Sequence, residues 1–459
     1  MIKKYISISD HPSYPRYLLK WIILTTPVAL VVGGLVAFFL WLLNSAIFFR
    51  FSHPYLIYFL PLAGIGIHFI YQFFSKSSEK GNNLILEEIH QPGIGIPARM
   101  GPLVLFSTVI THLFGGSAGR EGTAVQIGGS IAQVFANWFK LDQKDIKILL
   151  LAGLAAGFGA VFGTPLTGAI FAIEVITVGK FAYKAIIPCL LASFIGDLTV
   201  KFLGLNHPEY HIDLFSSPDF LTTILAQLDL LLLLKIILAA IAFGLASFLF
   251  SELAHLIKKV FNFIFKIQWL IPFTGGIIII LLMILVGKPD YLSLGVNAEY
   301  PGAITISSAF SKGGADTLSW LWKTIFTTIT IGTGFKGGEV TPLFYIGATL
   351  GNVLADFLNA PVSLFAALGF IAVFAGATNT PLACTIMGGE LFGGTYIVFF
   401  AIACFVAYFC SGNSGIYGAQ KIEKSKFWFN HKTHKINIEE AQKRRQNYFI
   451  EKLRKYSRA

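Results

Sequence analysis

GGSAGREGT, residues 115–123, decides how this chain folds. It sets Arg120 and Glu121 between glycines, in a chain whose residues are only 13% charged. Upstream, GPLVLFSTVITHLFGG (101–116) reads as a membrane-crossing helix, and downstream LLLAGLAAGFGAVFG (149–163) reads as another. Ionisable groups at that depth are costly and mark functional sites by default.

Composition supports the membrane reading. The 459 residues are 55% hydrophobic, mean hydropathy is +0.69, and Phe alone fills 44 positions. A soluble chain of this length would need more charge to cover its surface. Apolar runs able to cross about 30 Å of hydrocarbon recur along it. Examples are WIILTTPVALVVGGLVAFFLWLL (21–43), YLIYFLPLAGIGIHFIYQFF (55–74) and LDLLLLLKIILAAIAFGLASFLF (228–250). The first run is too long, and too free of a small-residue cleavage pattern, for a removable signal peptide. The predicted class is an all-α polytopic membrane protein embedded in a lipid bilayer.

Charge placement bears on orientation. Residues 421–459 hold 12 Lys/Arg against 4 Asp/Glu, which accounts for +8 of the net +11. The head, MIKKYISISDHPSYPRYLLK, is also basic. Positive residues beside spans stay cytoplasmic, which predicts both termini on that side. Membrane-flanking electrostatics suffices for the tail, so no nucleic-acid partner is expected. Cys189, Cys384, Cys404 and Cys410 lie in apolar runs without metal-ligand spacing and read as small packed hydrophobes. No metal and no cofactor are expected.

The chain repeats itself. AGFGAVFGTPLTGAIFAIE (156–174) resembles AVFAGATNTPLACTIMGGE (372–390) at an offset of 216, which aligns Phe158 with Phe374, Pro165 with Pro381 and Glu174 with Glu390. The same offset carries Arg120 to Lys336 and Gly122 to Gly338, laying GREG on FKGG. GLNHPEYHIDLFSSPDF (204–220) reads as the loop between halves. The expected organisation is a cytoplasmic segment 1–20, a first membrane repeat 21–203, a connecting loop 204–227, a second repeat 228–418, and a basic cytoplasmic tail 419–459. Transporters with such repeats place their substrate where broken helices of both halves meet near the midplane.

Glycine clusters in each half supply the breaks. A helix restarting after them exposes backbone N–H groups and roughly half a unit of positive charge, so two such ends aimed at one point make an anion site. Glu121 stands at the start of the helix TAVQIGGSIAQVFANWF, where its carboxylate can itself occupy that site. Protonation would free the place for a permeant anion, coupling protons to anions. Alternatively, Glu121 pairs with Arg120 or caps its helix.

These residues resemble the CLC family of anion channels and proton-coupled antiporters from residue 20 to about 418. GREGT (119–123) is similar to the family's GREGP element, whose glutamate is the gate, and GGEVTP (337–342) sits where the family has GxFxP. The resemblance implies two inverted-topology repeats of tilted and broken helices, assembled as a homodimer with one pore per subunit. GIGIP (93–97) lies too close to GREGT to be the family's first signature; KGNNL (80–84) has the right spacing, with LILEEIH as a half-helix. Asn82 then takes the anion-contacting serine's place.

Four departures resemble the fluoride/proton branch: Asn82, Thr123 in place of proline, GGEVTP with Glu339 and Thr341, and Val175 where exchangers of chloride carry a second glutamate. Fluoride is small and tightly hydrated, so its site needs close, strong donors. Asn82 offers an amide and Thr341 a hydroxyl, beside backbone N–H groups at Gly122, Val340 and Thr341. An anionic acceptor roughly doubles such bonds. Glu339 is expected to take a proton, donating to fluoride or passing the proton inward. Its plainer reading is a helix-capping acid. Tyr417, in SGNSGIYG (411–418), falls where the family's late tyrosine faces the anion, or else it is an interfacial tyrosine. The repeat symmetry of Glu174 and Glu390 favours matched capping or packing.

The expectation is a fluoride/proton antiporter in a bacterial cytoplasmic membrane, exporting fluoride against entering protons, with a chloride-type antiporter or passive anion channel as alternatives. The basic tail is too short for a regulatory domain of the family's cytoplasmic kind. An enzyme is not expected: the chain has no HExxH or GxSxG, and His112 stands alone on an apolar helix.

Overall fold

Proline at helix starts, and glycine or asparagine in left-handed turns at helix ends, punctuate an otherwise continuous apolar text. The computed structural model turns that punctuation into helices, and describes residues 13–93, 95–212, 229–423, 426 and 436–444. The first half comprises α1 (Ser13–Ser52), α2 (Leu60–Phe74), α3 (Asn82–His90), α4 (Met100–Leu113), α5 (Glu121–Trp138), α6 (Gln143–Phe162), α7 (Pro165–Glu174) and α8 (Ile186–Phe202). The second comprises α9 (Leu230–Ile264), α10 (Leu270–Val286), α11 (Ser319–Gly332), α12 (Val340–Leu358), α13 (Val362–Thr378), α14 (Pro381–Phe392) and α15 (Ile397–Cys410).

Five helical stretches among the described residues are long and apolar enough to cross a membrane, including Pro15–Ser52, Pro54–Phe74 and Leu230–Ile264. The run 101–116 is not one of them. Its helix, α4, has 14 residues and stops at Leu113, short of a full crossing. The chain breaks at Gly115, whose φ of 82° needs glycine, and restarts as α5 at Glu121. The glycines thus break the chain, and α5 returns antiparallel beside α4, with Gly101 N bonded to Ser130 Oγ (3.3 Å) and Thr108 Oγ1 to Thr123 Oγ1 (2.7 Å).

The second half repeats this break. Gly334 takes φ 98° after α11, and α12 starts at Val340. Local bonds match pairwise: Gly116 N donates to Thr111 O (2.8 Å), and Phe335 N to Thr330 O (3.3 Å). This pairing corrects the sequence register. Gly115 matches Gly334, Gly119 matches Gly338 and Glu121 matches Val340, an offset of 219 rather than 216. Arg120 is therefore the counterpart of Glu339, and Ser117 that of Lys336. Downstream the 216 offset holds, because α6 has 20 residues where α13 has 17. Both of these helices end on a left-handed residue, Gly163 at φ 73° and Asn379 at φ 60°, and both are followed by proline-started helices.

Small residues let the interior helices touch backbone to backbone. A Cβ added to Gly128 would stand 2.0 Å from Gly153 O, joining α5 to α6. One added to Gly347 would stand 2.0 Å from Gly369 O, joining α12 to α13. Aromatic rings fill the centre: Phe158 stacks on Phe171 at 4.4 Å and on its repeat counterpart Phe374 at 6.3 Å. Cys189, Cys384 and Cys404 are buried in this packing, and Cys410 is half-buried.

Glu174 and Glu390 cross-link the halves. Glu174 accepts from Leu382 N (3.1 Å) and Ala383 N (2.7 Å), at the start of α14. Glu390 accepts from Leu166 N (2.9 Å), Thr167 N (2.8 Å) and Thr167 Oγ1 (2.6 Å), at the start of α7. Each carboxylate closes the other half's proline-started helix, which is the matched capping that repeat symmetry favours.

α1 begins at Ser13, inside the segment expected to precede the first repeat. Residues 213–228, most of the expected connecting loop, lie outside the described residues, as does most of the basic tail. Part of the described tail joins a small sheet, and residues 438–444 are helical. Strand β1 (Thr177–Val178) pairs in parallel with β2 (Lys421–Ile422), which pairs antiparallel with β3 (Ile436–Asn437). Gln420 anchors it, donating from Nε2 to Val175 O (2.7 Å) and Thr378 O (3.0 Å).

Candidate functional site

The two breaks meet head to head. Gly119 N donates to Gly338 O (2.6 Å) and Gly338 N to Gly119 O (2.7 Å), so the starts of α5 and α12 converge. Only glycine allows this approach, since a Cβ on Gly119 would lie 2.7 Å from Glu121 Oε2 and 3.0 Å from Gly338 O.

Glu121, with no exposed surface, turns its carboxylate toward the opposite half. Oε2 accepts from Arg120 N (3.1 Å) and Thr341 N (3.1 Å), while Thr341 Oγ1 donates to Oε1. The Arg120 guanidinium is more distant, with Nε 3.7 Å from Oε1, and that Nε has no hydrogen-bond partner. Arg120 thus supplies charge to Glu121, while Thr341 and one amide of Arg120 supply the bonds. Val340 and Thr341, the first two residues of α12, are both buried.

Asn82 starts α3, after Gly81 at φ 57°. It approaches the start of α5 from the other side: a Cβ on Gly122 would stand 3.2 Å from Asn82 Nδ2. Asn82 Oδ1 is buried without a partner. α3 spans LILEEIH, and residues 91–93 and 95–99 after it are irregular.

A cavity of about 280 Å³ runs from exposed Glu79, Lys80 and Lys258 to buried Tyr417, and Asn82 and Glu339 share its wall. Glu339 is the residue before α12, and its side chain makes no capping hydrogen bond to that helix. All seven residues singled out in the sequence therefore lie around the two converging helix starts. Glu121, Gly122, Val340 and Thr341 form the meeting point, and Asn82, Glu339 and Tyr417 face the cavity beside it.

Thr123, one of the four departures, instead bonds Thr108 Oγ1 of α4 (2.7 Å). Val175 is buried beneath Gln420, which bonds its carbonyl. Sequence reading missed Gln126, Asn83 and Lys336. Gln126 lines the cavity and lies against Gly81, whose added Cβ would stand 3.3 Å from its Nε2. Asn83 Oδ1 accepts from Ala419 N (3.0 Å), tying the Tyr417 loop to α3. A lone amide five residues past a charged motif carries no periodic signal, so nothing in the text marks Gln126.

Residues 62–412 match the family described as "Voltage gated chloride channel". The chain belongs to this family. Among its relatives, a "Chloride/fluoride channel protein" of Pseudomonas syringae pathovar tomato is 42% identical over 410 residues, covering 89% of this chain and 88% of the relative. An "H(+)/Cl(-) exchange transporter ClcA" of Vibrio parahaemolyticus is 26% identical, covering 73% of this chain and 72% of that one. The solved structure of a "CLC-type fluoride/proton antiporter" superposes with TM-score 0.81 at 37% identity, covering 88% of this chain and 98% of that one. A slow cyanobacterial Cl⁻/H⁺ antiporter shares the fold, with TM-score 0.69 at 19% identity. The voltage gated chloride channel family thus agrees with the all-α architecture.

Proposed function

We propose that this chain is a fluoride/proton antiporter that exports fluoride while protons move inward. The observation that carries the reading is the Glu121 carboxylate, held by the amide and hydroxyl of Thr341 at the start of the opposite half's broken helix. A carboxylate and fluoride compete for the same donors. While ionised, Glu121 holds them. Once protonated it loses the charge that strengthens those bonds, and fluoride replaces it on the Thr341 hydroxyl and the amides of the helix starts. When fluoride leaves, Glu121 gives up its proton to the opposite side and returns.

Asn82 adds an amide donor from α3 beside Gly122. Glu339, on the cavity wall, receives the proton on its way inward, a task that Val175 lacks the chemistry to perform. Tyr417 lines the same cavity. The similarity to a solved fluoride/proton antiporter supports fluoride over chloride as the cargo. The proposal includes a homodimer with one pore per subunit, no enzymatic step and no cofactor. The protein is placed in a bacterial cytoplasmic membrane with both termini cytoplasmic.

The test is efflux from proteoliposomes, recorded with a fluoride electrode and a pH indicator together. Fluoride should leave far faster than chloride, with protons moving the other way. Fluoride efflux without proton movement would replace the antiporter with a passive channel. Equal rates for both halides would replace it with a chloride-type exchanger.

A further inference from the structure

Lys336 is the one part of the repeated break that this scheme leaves unused. It lies three residues before Glu339, in the loop leading into α12. Its counterpart in the first half is Ser117, fully buried, with N bonded to Thr330 Oγ1 (3.2 Å) and Oγ to Thr327 Oγ1 (2.9 Å). The second half therefore places a cation where the first places a satisfied hydroxyl. The side chain is half-buried on the cavity wall, with Nζ 4.4 Å from the centroid of the Tyr71 ring. Tyr71 is only 1% exposed, so the ring is a fixed platform.

No ion pair within 4.0 Å joins Lys336 to a carboxylate among the described residues, whereas Arg120 lies 3.7 Å from Glu121 and Lys80 lies 2.6 Å from Glu87. A half-buried ammonium without a contact ion pair is unfavourable. The ring face offsets part of that cost and leaves the charge turned to the cavity. The cavity's other charged lining groups are Lys80 and Lys258 against Glu79 and Glu339, so no excess of fixed negative charge cancels it.

We infer that Lys336 is an entry subsite for the transported anion. An anion from the cavity mouth first neutralises this ammonium and then steps to Asn82 and the helix-start amides. Because the ring holds the cation at one depth, its attraction acts along the route rather than at the surface. The inference rests on the anion-transport reading above and gives Lys336 a role in capture, separate from coupling.

Lys336→Met and Lys336→Arg in proteoliposomes test it, with fluoride varied on the cavity side. The Met variant should raise the half-saturating fluoride concentration about three- to tenfold at low ionic strength. That difference should shrink as potassium gluconate is added, with the maximal rate and fluoride-to-proton ratio unchanged. The Arg variant should stay near wild type. Equal impairment of both variants, or a flat half-saturation in the Met variant at low salt, overturns the inference.

Lys336→Cys, folded first and then modified, covers a Met variant that misfolds. A cationic thiol reagent should restore fluoride affinity and an anionic one should lower it further; identical responses to the two reagents overturn the proposal. Wild-type vesicles lacking fluoride-driven proton movement fault the functional reading itself. Wild-type coupling combined with an indifferent position 336 faults this inference alone.

Discussion

Replacing Glu121 by Gln keeps the side chain's size and removes its charge and its proton. The carboxylate accepts three bonds, from Thr341 N, Thr341 Oγ1 and Arg120 N. A hydrogen bond to a charged group contributes about 1.5–3 kcal/mol, against about 0.5–1.5 for a neutral one. Losing about 1 kcal/mol at each of the three contacts weakens the hold on the donors by about 3 kcal/mol. At 1.4 kcal/mol per factor of ten, that is roughly a hundredfold. The amide is therefore a poor competitor for the donors, and it carries no proton in exchange. In proteoliposomes, proton flux driven by a fluoride gradient should fall at least about a hundredfold, to the leak of empty vesicles. Any remaining fluoride flux should ignore an imposed pH gradient. A Glu121→Gln protein with the wild-type fluoride-to-proton ratio would refute the exchange of carboxylate for anion.

Asn82→Ser should lower the fluoride-over-chloride rate ratio, because it withdraws an amide donor beside Gly122; an unchanged ratio would count against placing KGNNL at the site. Glu339→Gln should reduce proton flux while fluoride still moves, read from the same paired electrodes, and retained coupling would leave Glu339 as a bystander of the cavity. Glu174→Gln and Glu390→Gln should each destabilise the protein by about 1–3 kcal/mol, since each weakens bonds to two backbone amides of a helix start that have no partner within their own helix. Thermal denaturation in detergent measures this, and a midpoint equal to wild type would deny the caps any energetic role.

The parts that were legible in the sequence are those marked by special backbone chemistry. Gly115 and Gly334 announce breaks because other residues resist their φ values, and TPL…E recurs because each half's proline-started helix needs a carboxylate cap from the other half. The half-helix at Asn82 is placed by the family resemblance together with its spacing to GREGT. The offset change between the two breaks was invisible, because a three-residue difference in length is buried within α6 and α13, whose apolar text aligns equally well either way. The short α4 was overread for a similar reason: a hydropathy run continues through a glycine, whereas a helix does not. Lys336 and Gln126 stand out only once α2 and α3 are brought against the loops.

The reciprocal glutamate caps have a mechanical consequence. Were the two halves to swing apart like jaws, Leu166, Thr167, Leu382 and Ala383 would surrender their acceptors together, at about 1–3 kcal/mol for each amide left buried and bare. That seam acts as a rivet rather than a hinge. Passage across the bilayer must then be worked by individual side chains turning within a stationary frame.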